Sequence, residues 1–293
     1  MELQMEQMNE IKRALQREQR QLMLRKFFRN KLAVIGSSIV LTLVLVAIFA
    51  DVIAPQDPLD MVVRDRLTPP GSKYLFGADT FGRDVLSRVI HGARVSMLVG
   101  TCVGLSSMVF GMLIGLYACY YSFLDNVLMR ICDGLSAIPS TLLAIALMAV
   151  LGSTATNVIV AMSIVYVPRM ARVSRAAAMV VKEQTYIEAM RATGASDSRI
   201  IWRHIAPNIL SPVIVQASYN FANSIITEAA LSFLGVGIPV PQPSWGNILN
   251  EGKSVITTGW WLIVFPGAAT ALAVLGLNIL GDGLRDMLDP HTN

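Results

Sequence analysis

The residues best suited to chemistry lie in one polar, basic stretch between hydrophobic segments, residues 186–208, with the sequence YIEAMRATGASDSRIIWRHIAPN. Its first part is rich in helix formers, and Gly194 suits the left-handed position that ends a helix. Ser196 or Asp197 can cap a second helix, which Pro207 prevents from running on unbroken. The pattern predicts two helices joined by a turn, and the chemistry expected of it is the docking of a soluble partner. We name residues 186–208 the docking segment.

Sequence patterns for covalent chemistry or nucleotide hydrolysis are absent from the chain. There is no GxxxxGK[ST], HExxH or GxSxG motif and no cluster of cysteine and histidine. The three histidines are far apart in the sequence: His91, His204 and His291. The three cysteines lie in or beside apolar segments without ligand spacing and are interpreted as small buried hydrophobic residues: Cys102, Cys119 and Cys132. We therefore expect no catalytic residue, no metal site and no cofactor in this chain.

The composition indicates a membrane protein. Of the 293 residues, 54% are hydrophobic and 15% are charged, against about 25% charged in an average soluble protein. The charges avoid the hydrophobic runs, which favours several spanning helices over a single anchor. Residues 1–31 hold eight Lys or Arg against four Glu and end directly in an apolar run. Positive flanks orient spanning segments, so we expect a cytosolic N-terminal segment, no nucleic-acid partner and no ordinary cleavable signal peptide.

Apolar runs of spanning length predict an all-α membrane protein with six transmembrane helices. The first span is residues 32–54, and the other five are expected at about 95–121, 134–152, 157–181, 209–237 and 260–280. Both termini and the docking segment then lie in the cytosol, including a tail at residues 283–293.

The connections between the spans carry further expectations. Residues 55–94 are predicted to form an extracytoplasmic loop, and from about Arg83 onward their pattern indicates an interfacial helix leading into the second span. Residues 122–129 are predicted as a short inner turn, and the proline-rich linker 238–259 is placed outside. The spacing of three apolar residues predicts an amphipathic or simply solvated helix near the N-terminus: Met8, Ile11 and Leu15.

A few charges fall inside or beside the predicted spans. Arg169, Arg172 and Arg175 follow Pro168 at three-residue spacing, so this half of the fourth span is expected to project into the cytosol or to face a wet cavity. Glu228 lies towards the outer end of the fifth span, where a place inside the bundle, by packing or by lining a pathway, is favoured over direct substrate contact. These features leave a secondary carrier, a channel and a pump subunit as open alternatives.

The docking segment resembles the EAA loop of the membrane subunits of bacterial ABC importers, which reads E-A-A, three residues, G, nine residues, I-x-L-P. Glu188, Ala189, Gly194 and Pro207 stand at matching positions. Three positions depart from that pattern: Met190 replaces the second alanine, and His204 and Ala206 stand at the Ile and Leu positions. The resemblance implies that the contacts to ATPase subunits lie among these residues: Glu188, Ala189, Met190, Arg191, Gly194, Arg199, His204 and Pro207.

Further motifs resemble the dipeptide, oligopeptide and nickel permeases, specifically the second of their two membrane subunits. Five of them match in order: Phe76 to Ser96, Arg130 with Asp133 and Pro139, Glu228 to Gly237, Pro243 to Gly246, and Gly281 to Pro290. The resemblance covers nearly everything from about Phe27 onward. It implies a type I ABC importer transmembrane fold, with a five-helix permease domain at residues 95–282.

The resemblance also implies partners. They are a homologous second permease subunit in a heterodimer, two ATP-binding subunits that hold ATP and magnesium, an extracytoplasmic substrate-binding protein and the lipid of a bacterial plasma (inner) membrane. The expected function is uptake of di- or oligopeptides, with nickel or metal chelates, glutathione or another small solute as alternatives. A stand-alone secondary carrier that uses Glu228 is the alternative of another class.

Overall fold

The structure is a computed structural model that describes Glu18, Leu22 and residues 25–288. The helix predicted around Met8, Ile11 and Leu15 lies outside the described residues, as do the last five residues of the predicted tail. Between residues 25 and 288 the regular structure is helical, with a single isolated bridge between Ala78 and Asp84. The all-α prediction is confirmed for this part of the chain.

Eleven helices are named here in chain order: α1 Lys31–Ile48, α2 Ala50–Ile53, α3 Val85–Tyr120, α4 Ser122–Ser136, α5 Ser140–Leu151, α6 Ala155–Lys182, α7 Thr185–Ala192, α8 Asp197–Arg199, α9 Leu210–Phe233, α10 Trp245–Lys253 and α11 Trp261–Leu288. A 3₁₀ turn at Val63–Asp65 lies in the loop after α2. A π-helical turn at Ile200–Ile205 and a 3₁₀ turn at Ala206–Ile209 connect α8 to α9.

Among the described residues, three helices are long and apolar enough to cross a membrane alone: α1, α3 and α11. The bent pair of α4 and α5 makes a fourth if it is one span. Helices α6 and α9 have 28 and 24 residues, lengths of about 42 and 36 Å, but polar and charged side chains lower their hydropathy. Length and composition therefore show three clear spans rather than the predicted six.

Helix α3 corrects one boundary of the loop predicted at residues 55–94. It runs for 36 residues without a break, so residues 85–94 are its first turns and not a separate helix. Asp84 begins it, since its carboxylate accepts hydrogen bonds from the Ser87 amide at 2.7 Å and from the Ser87 hydroxyl at 2.6 Å. The side chains of Arg88 and Val89 are buried against neighbouring elements.

The predicted turn at residues 122–129 and the predicted span at 134–152 are both wrong in detail. Residues 122–136 form helix α4, and the chain bends by 94° before α5. The break lies at Ala137, Ile138 and Pro139. Proline has no amide hydrogen to donate and disfavours helical backbone in the residue before it, which is consistent with a break at this point.

Small residues bring the long helices close together. A Cβ added to Gly115 of α3 would lie 2.6 Å from the Ala171 carbonyl oxygen of α6. A Cβ added to Gly36 of α1 would lie 2.4 Å from the Leu280 backbone nitrogen of α11. Such contacts at glycine let helix backbones approach closely, as in many membrane bundles. Around them, three apolar clusters form the core of the bundle.

A candidate docking site between two bundle helices

The docking segment lies between α6 and α9, and its central turn has the predicted form. Gly194 has a φ of +80°, and a Cβ there would meet nothing within 4 Å. The Gly194 amide donates to the Arg191 carbonyl and the Ala195 amide donates to the Met190 carbonyl, both at 3.0 Å. This pair of bonds is the Schellman arrangement, which requires a left-handed residue after the helix. The predicted left-handed helix end at Gly194 is confirmed.

The second half of the docking segment differs from the prediction. Ser196 is the cap residue of α8, but its side chain makes no capping hydrogen bond. Pro207 lies in the first part of the 3₁₀ turn at Ala206–Ile209, and α9 starts immediately afterwards. Proline is tolerated there because the first turn of a helix does not need its amide hydrogen. Pro207 therefore does not stop the helical backbone, and the docking segment leads directly into α9.

Buried isoleucines fix the docking segment to the bundle. Ile187 of α7 and Ile200, Ile201 and Ile205 of the second half are nearly inaccessible to solvent. They pack in one apolar cluster with residues of α3, α6 and α9 that include Leu116, Met170 and Val213. Burying each isoleucine contributes about 1.5–3 kcal/mol. The segment is therefore held rigidly on the ends of α3 and α6.

The opposite side of the docking segment is exposed. Six of the eight residues predicted to contact a partner are exposed: Glu188, Ala189, Arg191, Gly194, Arg199 and Pro207. Met190 and His204 are half-buried. The Nε2 atom of His204 is buried and has no hydrogen-bond partner among the described residues. The structure thus brings six of the predicted residues to one accessible segment and turns the other two partly inward.

A cleft of about 490 Å³ lies beside the exposed face, between α7 and the ends of α3 and α6. Its charged lining is balanced, with three acidic and three basic side chains: Asp125, Glu183, Glu188, Arg175, Lys182 and Arg191. Tyr120 also lines the cleft, with the Lys182 and Arg191 cations 5.6 and 5.3 Å from its ring centroid. The Tyr120 hydroxyl donates to Asp197 at 2.6 Å, which ties α3 to the docking segment. The cleft therefore has a polar, charge-balanced lining beside the exposed face.

Two of the three arginines after Pro168, Arg172 and Arg175, contact α4. Arg175 makes a two-pronged ion pair with Asp125, with both nitrogen–oxygen distances at 2.6 Å. Arg172 is exposed and contacts Asp133 at 3.4 Å as well as Ser136. Arg169 is exposed. A polar cleft of about 230 Å³ between α4 and α6 includes Arg172 and Arg175 in its lining. Sequence analysis missed the acidic partners because they lie about 40 to 50 residues earlier in the chain.

Glu228 is fully buried inside the bundle. Its carboxylate accepts hydrogen bonds from the Ser96 hydroxyl of α3 at 3.0 Å and from the Ser232 hydroxyl at 2.9 Å. It belongs to a row of buried polar residues at four-residue spacing along α9: Gln216, Asn220, Ser224, Glu228 and Ser232. Asn220 in turn donates to Ser107 of α3 at 3.0 Å. The four-residue spacing is visible in the sequence and indicates this polar face of α9.

Four charges at the other end of the bundle escaped sequence analysis; three are buried, and the fourth, Glu251, is half-buried beside them. Arg83 contacts Asp79 at 2.6 Å and Glu251 at 2.9 Å. Arg88 also bonds both acids, with distances of 2.6 and 2.8 Å to Glu251. Two positive and two negative groups balance each other, which buried charges require. This buried quartet, Asp79, Arg83, Arg88 and Glu251, joins the loop before α3 to α10.

Three more hydrogen bonds order the loop before α3 and the start of that helix. The Trp245 indole of α10 donates to the Val89 carbonyl of α3 at 3.0 Å. In the loop, the Lys73 ammonium and the Tyr74 hydroxyl both donate to Asp65. The Lys73 hydrogen bond is the main reason that the pKa of the Asp65 carboxyl is lowered. Residues 55–84 of the predicted loop are therefore ordered, and they contact α3 through Gln56 and Ser87 and α10 through Arg83 and Glu251.

Comparison with known proteins finds relatives along almost the whole chain. A protein of Brucella suis named as a peptide transport system permease is 46% identical over 272 residues, which cover 93% of this chain and 90% of the relative. The dipeptide transport system permease protein DppC of Alkalihalophilus pseudofirmus is 41% identical, with 89% and 86% covered. The glutathione transport system permease protein GsiD of Escherichia coli is 44% identical, with 91% and 88% covered.

Two family profiles match the chain in the expected order. The N-terminal transmembrane domain of oligopeptide transport permease C matches residues 18–70. The binding-protein-dependent transport system inner membrane component matches residues 107–293. The chain therefore belongs to the family of binding-protein-dependent transport system inner membrane components, the permease subunits of ABC importers, in its dipeptide, oligopeptide and nickel branch.

Proposed function

We propose that this permease subunit forms half of the translocation path of an ATP-driven importer for di- and oligopeptides. The names of the relatives support this substrate class, since they specify peptides, dipeptides and glutathione. An extracytoplasmic binding protein delivers the substrate, and a homologous second permease subunit supplies the other half of the path. Two ATPase subunits bind ATP and magnesium, and this chain is not itself catalytic. Nickel, metal chelates and other small solutes are the alternative cargoes.

The proposed topology has six membrane crossings: α1, α3, the bent pair α4–α5, α6, α9 and α11. An even number of crossings puts both termini on the same side, and the basic residues 1–31 place that side in the cytosol. The contacts support this order. Tyr120, Lys182 and Asp197 meet at one end of the bundle, as the two inner connections, α3 to α4 and α6 to α9, should. Asp79 and Glu251 belong to one ion network at the other end, as two outer connections should.

The docking segment transmits the movement of the ATPase subunits. The observation that carries this proposal is the two-sided structure of the docking segment. Its isoleucines are buried against the bundle, and Glu188 and Arg191 are exposed on the opposite side. Because the helical backbone passes through Pro207 into α9, a rigid-body movement of the segment reaches the bundle interior. Glu188 contacts the ATPase surface, and Gly194 permits the turn that presents it.

Reconstitution of the complete transporter with two variants tests this role. We expect Glu188→Arg and Gly194→Pro to remain in the membrane yet to abolish peptide uptake. Ser198→Ala, an exposed change in the same segment, is the matched control and should transport normally. Normal uptake by both variants with the ATPase subunits bound would show that docking occurs elsewhere.

The alternative of a secondary carrier predicts gradient-driven uptake by this chain alone. Family membership and the burial of Glu228 between two helices both argue against it. Reconstituting the isolated chain in a proton or ion gradient tests this alternative directly. Uptake without any ATPase subunit would overturn the proposed function.

A further inference from the structure

Arg169 differs from the two arginines that follow it on α6. Arg175 pairs with Asp125 of α4, and Arg172 contacts Asp133 of the same helix. Arg169 is exposed, and its guanidinium has neither an ion pair nor a hydrogen bond among the described residues. Arginine keeps its positive charge at every physiological pH. Within the described part of the chain, this cation therefore has no acidic partner.

Contacts with α3 show how deep Arg169 lies in the bundle. The next residue, Met170, packs so closely on Gly111 of α3 that a Cβ on that glycine would lie 2.5 Å from the Met170 Cβ. Gly111 is about 5 Å along the helix from the middle of the apolar run predicted at residues 95–121. Charged side chains at such a depth face the bundle interior, a water-filled cavity or a polar partner. We therefore expect Arg169 to face water or a polar group and not hydrocarbon.

The side of α6 that bears Arg169 is closed in one direction and open in the other. Tyr166, one turn earlier, is buried, and its hydroxyl is hydrogen-bonded to the Thr227 hydroxyl of α9 at 2.8 Å. Ala176, two turns later and nearer the docking segment, is exposed. Residues three or seven positions from Arg169 share its side of the helix. Arg169 therefore lies where this side of α6 emerges from the packed bundle, at the closed end of a surface that opens towards the docking segment.

Asn223 of α9 provides a second polar group at the same level. Helix α6 runs towards the docking segment and α9 runs away from it, and the two helices meet at Tyr166 and Thr227. Arg169 is one turn after Tyr166, and Asn223 is one turn before Thr227, so both lie on the docking-segment side of this contact. Asn223 is half-buried, and its amide has no hydrogen bond within the described part of the chain. An amide offers both a donor and an acceptor to a ligand.

We propose that Arg169 binds the terminal carboxylate of a peptide as it passes through the permease, with Asn223 as a second polar contact. This inference rests on the proposed function, which makes the cargo a peptide. A linear peptide with a free C-terminus ends in a carboxylate, and the planar guanidinium donates two parallel hydrogen bonds to such a group. Arg172 and Arg175 already contact acids of α4, so Arg169 is the arginine of the three whose charge remains for a ligand.

Uptake of two matched peptides by the complete reconstituted transporter tests this role. The probes are trialanine and trialanine with a C-terminal amide, which lacks the negative charge, each supplied on saturating binding protein. The same binding protein serves the wild type and the variants, so its own preference cancels when uptake ratios are compared. We expect Arg169→Gln to lower the ratio of free-acid to amide uptake by about tenfold, because a charge-assisted pair is lost. Arg172→Gln should leave that ratio unchanged.

Photo-crosslinking of the wild-type transporter provides a second measurement that needs no variant. Two tripeptides with free C-termini are used, one with a diazirine residue at the last position and one with it at the first. After irradiation during turnover, mass spectrometry locates the adducts on this chain. We expect the C-terminal probe to label α6 and α9 within one turn of Arg169 and Asn223, and the N-terminal probe to label these positions much less.

Several outcomes would overturn the assignment of Arg169. An equal fall in uptake of both peptides in Arg169→Gln would mean that Arg169 pairs with an acid of another subunit. An equal change of the ratio in Arg172→Gln would show a general effect of positive charge. Equal labelling by both probes, or adducts only elsewhere on the chain, would place the carboxylate away from Arg169. If the wild type takes up neither trialanine nor its amide, the proposed function itself fails; if it takes up trialanine and these results are negative, only the role of Arg169 fails.

Discussion

The Glu228 carboxylate accepts a 3.0 Å hydrogen bond from the Ser96 hydroxyl, and this contact joins α9 to α3 where neither group reaches solvent. Helix α9 begins directly after the docking segment, so the contact lies at the far end of a continuous helical element. Ser96 is two turns after Arg88, a member of the buried quartet. The Glu228–Ser96 hydrogen bond is therefore one of the contacts that link the docking segment to the ion network at the opposite end of the bundle, beside Asn220–Ser107 and Tyr120–Asp197.

The first prediction concerns the Glu228 side chain. Glu228→Ala removes the acceptor of the Ser96 and Ser232 hydroxyls and leaves a cavity, so we expect it to lower the stability of the bundle by about 2–5 kcal/mol. Glu228→Gln keeps the size and one carbonyl acceptor and should cost much less. Thermal unfolding of the purified transporter measures both. Glu183→Ala, an exposed change of the same type, is the control, and equal melting temperatures for the two alanine variants would contradict the prediction.

The second prediction concerns the buried quartet. Glu251→Ala leaves Arg83 and Arg88 with Asp79 as their only acidic partner, and removing one member of a buried ion pair costs about 3–5 kcal/mol. We expect a large loss of stability from Glu251→Ala and little change from the exposed Asp60→Ala.

A double variant tests whether Arg88 and Glu251 stabilise the bundle as an ion pair or only through the separate packing of each side chain. Arg88→Leu combined with Glu251→Leu removes one cation and one anion together, so it should be less destabilising than the sum of its single changes. Strict additivity in thermal unfolding would mean that the two side chains do not act as a pair.

Local features of the sequence were predictable because short-range chemistry decides them. The left-handed Gly194, the first apolar span and the all-helical class follow from residue type and spacing. Pro139 and Pro207 show where prediction from residue type fails. Proline lies at a bend of the chain at position 139 but within a continuous helical run at position 207. The outcome depends on the backbone around each proline, which residue type alone does not specify.

Partners distant in the sequence were not predictable. Arg88 and Glu251 are 163 residues apart, and Asp125 and Arg175 are 50 apart. Spacing along a chain identifies residues on the same face of one helix, but it says nothing about which helix packs opposite. The side chain of Glu228 was expected inside the bundle, yet its contact with Ser96 required the packing of α3 against α9.

The third prediction separates backbone strain from loss of a glycine in general. Gly194 has a positive φ and open space around its Cα, so the Cβ of Gly194→Ala meets no neighbouring atom. The only cost is the left-handed backbone conformation, which should destabilise the turn by about 1–2 kcal/mol. Gly194→Asn should be tolerated better, because asparagine adopts the left-handed region more readily. Peptide-stimulated ATP hydrolysis by the reconstituted transporter reports the effect. Gly134→Ala, also in open space but within α4, should keep normal coupling, and a matching loss there would contradict the conformational explanation.

The fourth prediction uses two glycines of the same helix. A Cβ at Gly115 would lie 2.6 Å from the Ala171 carbonyl oxygen and from the Ser174 Cβ, whereas the nearest atom to a Cβ at Gly104 is 3.5 Å away. Gly115→Ala must therefore push α3 away from α6, and overpacking of this kind costs about 1–3 kcal/mol. Gly104→Ala fits and should leave the melting temperature almost unchanged. Thermal unfolding of both variants in the same lipid compares them directly. Equal stability of the two would show that α3 and α6 have room to separate at Gly115, and their close approach would then not be required for the packing of the bundle.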